Sequence, residues 1–220
     1  RSFRFKLLSD LMKVDFLTPS TGWFSSVAEE LLREVSQRGH ESRQFENHEK
    51  LEKGDVLYIL SYLKIIPQKY LGLHDMNLVI HGSDLPKGRG FSPLSWQISE
   101  DSREIAFTLF EAGDEVDSGD YYMKRKMELD GTELFHEWRS KCAAFVADMA
   151  LEFLDNTDSH PPSPQSGEAT FYPKRGEADD EVLPEHSLEM MFDKLRACDP
   201  DRYPAWFRFR GRKYSLRMDG

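Results

Sequence analysis

Cysteine is nearly absent: Cys142 and Cys198 are the only two in 220 residues. Neither belongs to a C-x-x-C pair, and two isolated thiols make neither a disulfide framework nor a zinc site. Both read as reduced, packed side chains, which fits a cytoplasmic protein. No apolar run approaches the roughly 20 residues that cross a bilayer, so no membrane association is expected. The basic, amphipathic start, residues 1–11, has no small-residue cleavage site, which argues against a secretory leader. It reads as an N-terminal extension ahead of a first strand that begins near Met12. Positive charge is short as well. Lys and Arg number 29 against 39 Asp and Glu, a net charge of -10. Proteins that wrap nucleic acid carry a basic stripe; none stands out here, although Arg208–Lys213 is locally basic, and it reads as an edge strand with solvated charges. Two nucleotide-binding loops are missing. Thr18-Pro19-Ser20-Thr21-Gly22 lacks the G-x-G-x-x-G fingerprint, and no G-x-x-x-x-G-K-[ST] is present. No spacing of His, Cys and carboxylates suits a metal, and none is expected.

What is there builds a core. Hydrophobic residues make up 39% and aromatic residues 12%, enough for one generous domain, or a domain with a small appendage. Val14–Leu17 reads as a strand and Thr18–Gly22 as a turn. Val27, Leu31, Leu32 and Val35 then share a helix face that stops at Arg38-Gly39. Arg43–Phe45 is a second short strand. Asp55–Ser61 is a near-continuous apolar run, the pattern of a strand buried on both faces of a parallel sheet. Ile66-Pro67 breaks it, and Gln68–Leu71 forms a helical turn. Asn77–Ile80 is another buried strand, ending on His81. Gly82–Gly90 reads as a loop, and Ser92–Ile98 as a helix with Pro93 in its first turn. Ile105–Phe110 and Tyr121–Met127 are strands, and Leu134–Leu154 is a long amphipathic helix. The alternation predicts an α/β fold: a Rossmann-like, mostly parallel sheet flanked by helices.

Asn156–Gly167 is the one shift in composition, rich in Pro and Ser. The expected organisation is a main domain over 1–155, a linker over 156–167, and a small α+β appendage over 168–220. The appendage reads as a strand at Thr170–Tyr172, a helix at Leu188–Ala197 capped near Glu185 or Ser187, and a hairpin across Gly211.

Ligands of open α/β sheets bind beyond the carboxyl ends of the strands. His81 sits at such an end, and so does Ser61-Tyr62. After His81 comes Gly82-Ser83-Asp84-Leu85-Pro86-Lys87-Gly88-Arg89-Gly90, whose glycines permit close ligand approach. Asp117-Ser118-Gly119-Asp120 is, alone, an ordinary tight turn. Paired with His81 it means more, because a carboxylate orients an imidazole, fixes its tautomer and stabilises its protonated form.

Three blocks together resemble the formyltransferase family, which includes methionyl-tRNA, glycinamide-ribonucleotide and sugar N-formyltransferases. Ser61–Pro67 is similar to the strand-end segment along which the family's pterin lies. His81-x-Ser83-x-Leu85-Pro86-x-x-x-Gly90 is similar to its His-x-Ser-Leu-Leu-Pro loop, and Asp117-x-Gly119 to its Asp-x-Gly loop. The likeness covers roughly residues 12–155. In the tail, Phe171–Arg175, Leu195–Ala197 and Tyr203–Phe207 resemble sugar-nucleotide N-formyltransferases. The loop His81–Gly90 with Ser92–Gln97 resembles the branch tied to pseudaminic-acid-type sugars.

The resemblance implies formyl transfer from 10-formyltetrahydrofolate to a primary amine. His81 and Asp117 would be catalytic. Tyr62, Leu63, Lys64, Ile65, Ile66, Gly113 and Asp114 would hold the folate. Ser83, Lys87, Gly88, Arg89 and Arg175 would meet the acceptor, a nucleotide-linked amino sugar. Trp206, Phe207 and Phe209 would stack on its base or simply pack, Arg175 would bind phosphate or pair with Asp179, and the tail would present a face for a homodimer. Glycinamide ribonucleotide, methionyl-tRNA and an inactive folate- or nucleotide-binding module remain alternatives. One departure stands out: the family has asparagine two residues before the histidine, and this chain has Val79. Asn77 lies about 7 Å further back by strand rise, which leaves His81, Ser83 or a backbone N–H to meet a developing oxyanion.

Overall fold

Four parallel strands carry the centre of the molecule: β1 (Lys13–Leu17), β2 (Glu41–Phe45), β3 (Gly54–Ile59) and β4 (His74–His81). Their order in the sheet is β2-β1-β3-β4. Two further strands, β6 (Glu104–Glu111) and β7 (Tyr121–Glu128), extend it beyond β4, with β6 antiparallel to both neighbours. The remaining short strand before them, β5 (Arg89–Gly90), lies outside this sheet. The computed structural model describes residues 11–21, 23–113 and 115–220. The extension expected over 1–11 falls outside that range but for Leu11, as does the folate call on Asp114.

Val56, Leu57, Tyr58 and Ile59 are buried in succession because β3 is covered on both sides. On one side lie α1 (Ser25–Gln37) and the long α4 (Phe135–Asp155). Leu31 and Val35 of α1 and Met149 and Phe153 of α4 pack there on Val14, Phe16, Tyr58 and Leu78. Phe16 and Tyr58 stack at 5.5 Å, and the fully buried Tyr58 hydroxyl donates to the Ala150 carbonyl at 2.8 Å. That bond removes the penalty of an unpaired buried hydroxyl, about 1–3 kcal/mol. The other side is thinner. Leu17, Leu57, Ile59 and Leu71 cluster there under α2 (Gln68–Leu71) and the preceding strand-end segment. No described helix is long and apolar enough to cross a membrane.

Helix α3 (Pro93–Ser99) carries Pro93 in its first turn, as the sequence suggests. The tail consists of β8 (Phe171–Tyr172), α5 (Leu188–Ala197) and a hairpin of β9 (Ala205–Phe209) and β10 (Arg212–Leu216). The Ser187 side chain caps α5 by accepting the Met190 N–H. Helix α5 packs against α3, and β8 pairs in parallel with β5. The expected loop over Gly82–Gly90 therefore ends in a strand. A two-residue strand has no period to read, and its partner lies some 80 residues on. Cys142 and Cys198 are both buried, and burial pushes their thiols up to about 12, so both stay inert.

Candidate active site

The parallel strands β1, β3 and β4 end at one edge of the sheet, on Leu17, Ile59 and His81. Residues 77, 79 and 81 share one face of β4, because side chains alternate along a strand. Val79 packs into the thinner apolar cluster, leaving His81 as the first polar side chain at the edge.

The His81 ring reaches across the loop that follows it. Its Nε2 lies 2.9 Å from the Gly88 carbonyl oxygen. A carbonyl only accepts, so Nε2 bears the proton and Nδ1 of the neutral ring keeps the lone pair. Asp117 arrives from the β6–β7 connection. Its Oδ2 stands 3.8 Å from His81 Nε2 and accepts the Gly90 N–H at 2.9 Å. Both side chains are about nine-tenths buried, 10% and 12% exposed, so their interaction is weakly screened. The structure thus brings together the imidazole and carboxylate that the sequence singles out. Glycine is required at position 90: φ is +99, and a Cβ there would lie 2.5 Å from the Tyr172 carbonyl oxygen. Gly90→Ala is expected to part β5 from β8 and release Asp117. Activity should fall at least tenfold, while far-ultraviolet circular dichroism of the main sheet stays unchanged.

Ser83 is 3% exposed, and its Oγ has no hydrogen-bond partner among the described residues. The loop around it is held by Thr108, whose hydroxyl donates to the Ser83 carbonyl at 2.7 Å. Asn77 does not replace the missing asparagine. It lies four residues before His81, about 13 Å by strand rise, and its neighbour is Glu111. The Glu111 carboxylate accepts the Asn77 N–H and the Tyr122 hydroxyl, while burial pushes its pKa upward.

Tyr62, Leu63, Lys64, Ile65 and Ile66 form the segment after β3. Leu63 and Ile65 are 87% and 83% exposed, so core packing does not explain them. No backbone–backbone hydrogen bond among the described residues involves Tyr62 to Ile66. Tyr62 anchors the segment through its hydroxyl, 2.7 Å from His48 Nδ1, and Ile66 packs on the thinner cluster. Nothing lies within 4 Å of a Cβ placed on Gly113. The space beside both segments is open.

The residues expected to meet an acceptor diverge. Lys87 is exposed. Gly88 supplies the carbonyl for His81. Arg89 is half-buried, with one terminal nitrogen on Gln165 at 2.7 Å and its Nε buried without a partner among the described residues. Arg175 is engaged elsewhere: its guanidinium donates to Asp180 at 2.5 Å and lies over the Trp96 ring. Asp179, the partner expected from sequence, instead accepts the Gly176 N–H at 2.7 Å. Trp206 is buried, its indole N–H on the Glu177 carbonyl. Phe207 stacks on Tyr214 within the hairpin, and Phe209 is exposed. Sequence reading missed Tyr172 and Gln165, which touch the centre from the Pro- and Ser-rich stretch and the strand after it. Gln165 lies in no motif, Tyr172 belongs to the tail block Phe171–Arg175 with no role at the site assigned to it, and no local periodicity marks either. A cavity of about 260 Å³ opens between the start of α4 and the tail, lined by Leu134, Leu195 and Leu216 among others. It includes neither His81 nor Asp117 and is not the reaction centre.

Known proteins share this fold. Residues 21–148, more than half the chain, match the family model described as formyl transferase. A methionyl-tRNA formyltransferase of Rickettsia massiliae is 29% identical over 148 residues, 66% of this chain and 49% of its own length. The chain thus spans about half the length of the curated relatives it matches, or less. Among solved structures, a methionyl-tRNA formyltransferase from Clostridium thermocellum superposes with a TM-score of 0.81 at 23% identity, covering 94% of this chain and 92% of that one. HypX from Aquifex aeolicus, in complex with tetrahydrofolic acid, gives 0.77 at 23% identity, covering 95% of this chain and 38% of that one. A sugar N-formyltransferase from Shewanella sp gives 0.64 at 15% identity, covering 94% and 97%. At such identities the structures speak for the fold, and the match over residues 21–148 speaks for descent: the chain belongs to the formyl transferase family.

Proposed function

We propose that this protein transfers a formyl group from 10-formyltetrahydrofolate to the primary amine of a nucleotide-linked amino sugar, with His81 and Asp117 as its catalytic residues. The observation that carries the transfer reading is the pair itself, 3.8 Å apart and nine-tenths buried at the edge where three parallel strands end. The acceptor amine attacks the formyl carbon, and a tetrahedral adduct forms. The bond from that carbon to the folate nitrogen then breaks, releasing the N-formyl product and tetrahydrofolate. The amine loses a proton on the way. His81 Nδ1, which keeps the lone pair, takes it and returns it to the folate nitrogen as that nitrogen leaves; Nε2–H stays on the Gly88 carbonyl; and Asp117 stabilises the transient imidazolium. Ser83, with a buried hydroxyl free to donate, is the polar side chain best placed by sequence and burial to meet the oxyanion in place of the asparagine lost at Val79.

Folate suits the strand-end segment. Exposed Leu63 and Ile65 offer apolar surface to a flat pterin, and the unpaired backbone groups of Tyr62–Ile66 offer donors and acceptors for its edge. Lys64 and the open backbone at Gly113 complete that wall. Ile65→Ala is expected to raise KM for the formyl donor about tenfold, from the ~1–2 kcal/mol of apolar burial it removes. Turnover and thermal stability should stay unchanged; an unchanged KM would remove Ile65 from the folate wall.

The resemblance of the tail and the likeness to a sugar N-formyltransferase fold favour an amino sugar, with Lys87 and Arg89 toward its anionic part. Methionyl-tRNA is the second reading. It is favoured by the names of the curated relatives and by the exposed Arg208, Arg210 and Arg212, which have no carboxylate within ion-pair distance among the described residues. The net charge of -10 counts against it. Tetrahydrofolate release with a panel of UDP- and dTDP-amino sugars and with charged methionyl-tRNA separates the two. Turnover with tRNA alone overturns the sugar reading. No turnover with any acceptor, and no 10-formyltetrahydrofolate binding by calorimetry, overturns the transfer reading.

A further inference from the structure

One side chain of the Pro- and Ser-rich stretch touches both halves of the centre. Gln165 Oε1 accepts a hydrogen bond from the Arg89 guanidinium at 2.7 Å. Its Nε2 donates to the main-chain carbonyls of Asp117 at 3.0 Å and Gly119 at 2.9 Å. Only one orientation of the amide permits this. Turned over, its NH2 would face the guanidinium donors and its oxygen would face two carbonyls. The backbone that carries it is tied down two residues away, where Ser163 and Tyr121 exchange both main-chain hydrogen bonds at 2.8 Å.

The turn that Gln165 grips needs holding. Asp117 has φ +55, a left-handed conformation that costs a non-glycine residue roughly 1–2 kcal/mol. Its carboxylate must stay on the Gly90 N–H to remain beside His81. Arg89 sits between Gly88, which accepts from His81, and Gly90, which donates to Asp117. Gln165 therefore couples the strand that fixes the imidazole to the turn that supplies the carboxylate, across 76 residues on one side and 48 on the other.

We infer that Gln165 is a positioning residue for the transfer, setting the separation of His81 and Asp117 without touching the reacting atoms. The kinetic part of this inference rests on the formyl-transfer reading; the geometric part does not. The informative variant is Gln165→Glu, which is isosteric and keeps an acceptor for Arg89 but turns an anionic oxygen onto the Asp117 and Gly119 carbonyls. Gln165→Ala removes both contacts and serves as the check on folding. With 10-formyltetrahydrofolate and whichever acceptor in the panel turns over, kcat of Q165E should fall about 10- to 100-fold, the scale of a misplaced catalytic group. KM for both substrates should stay within about twofold if only the catalytic step is disturbed. In an Asp117→Asn background the same change should cost no more than about twofold further, because Gln165 acts through Asp117. Independently of activity, amide exchange at Gly90, followed by NMR, should quicken about tenfold in Q165E while exchange in β1 and β3 is unmoved. Wild-type kcat in Q165E, an equal loss with and without Asp117, or unchanged Gly90 exchange would each overturn the inference. Faster Gly90 exchange with no turnover by the wild-type protein upholds the positioning and sinks the transfer reading instead.

Discussion

His81→Ala and Asp117→Asn will each lower turnover by at least about two orders of magnitude, the scale typical of a group that moves or stabilises a proton in the transition state. Both variants should fold. The two side chains lie at the strand-end edge and support none of the apolar clusters, so thermal midpoints should stay within a few degrees of wild type. The aspartate is replaced by asparagine for a reason. Asparagine keeps an oxygen for the Gly90 N–H, which Asp117 now meets at 2.9 Å, and removes only the charge that faces Nε2 at 3.8 Å. The loss should appear in kcat with KM for the folate little changed, because the apolar wall at Leu63 and Ile65 remains. The double variant should be no slower than about the worse single one, since two members of one proton-handling unit do not add. Wild-type turnover in either variant would remove the pair from the chemistry and leave the chain as a binding module of the family.

The largest effect on stability is expected far from that centre. Asp15 is fully buried in β1. Both its oxygens meet Arg43, at 2.8 Å each, and Oδ2 also lies 2.7 Å from His74 Nε2. Gly54 leaves room for this contact, since a Cβ there would come within 2.8 Å of both Asp15 and His74. Burial works against the Asp15 charge, but the hydrogen bonds from His74 and Arg43 outweigh it and hold the carboxyl below its usual range. Asp15→Ala strands a guanidinium that is only 22% exposed. Breaking a buried pair this way costs about 3–5 kcal/mol. Arg43 keeps Glu52 at 2.7 Å, which places the expected loss near the lower figure, a fall in Tm of roughly 6–12 °C for a chain of this size.

The sign with pH follows from the same shift. A carboxyl whose folded pKa lies below its unfolded value stabilises the fold at higher pH and loses that stabilisation on acidification. The contribution is in full force well above the ordinary aspartate value of 3.8 and fades as pH falls through the lower folded value. Urea midpoints of wild type and Asp15→Ala should therefore differ by a constant amount well above the ordinary aspartate value of 3.8 and converge as pH falls through the lowered folded value. A difference that persists unchanged into acid would mean that packing, rather than the ion pair, is lost.

Much of this architecture was legible in the sequence because its cause is local. Apolar runs such as Asp55–Ser61 mark a strand covered on both faces, and the three-four spacing of Val27, Leu31 and Val35 marks a helix; neither needs a partner to be recognised. A histidine closing an apolar strand, and an Asp-x-Gly turn after a later one, were enough to name the two residues that meet. Val79 was legible too; in the structure the Asn77 N–H meets Glu111, and the buried Ser83 hydroxyl has no partner among the described residues.

What the tertiary structure alone decided are the contacts that cross long stretches of chain. The two residues of β5 and their partners in β8 are too few to show alternation. Arg175 chose Asp180 over Asp179 because the latter's carboxylate already holds the turn at Gly176. Gln165 sits in a stretch whose composition reads as a linker, yet its amide bonds Arg89 and the carbonyls of Asp117 and Gly119. Asp15, Arg43 and His74 look like three unrelated polar residues until the strands are laid side by side. Sequence by itself determines where backbone will be extended or helical and which strand ends carry polar groups. Which distant polar groups satisfy one another depends on distances that exist only once the sheet has formed, because a hydrogen bond acts over about 3 Å and says nothing along the chain.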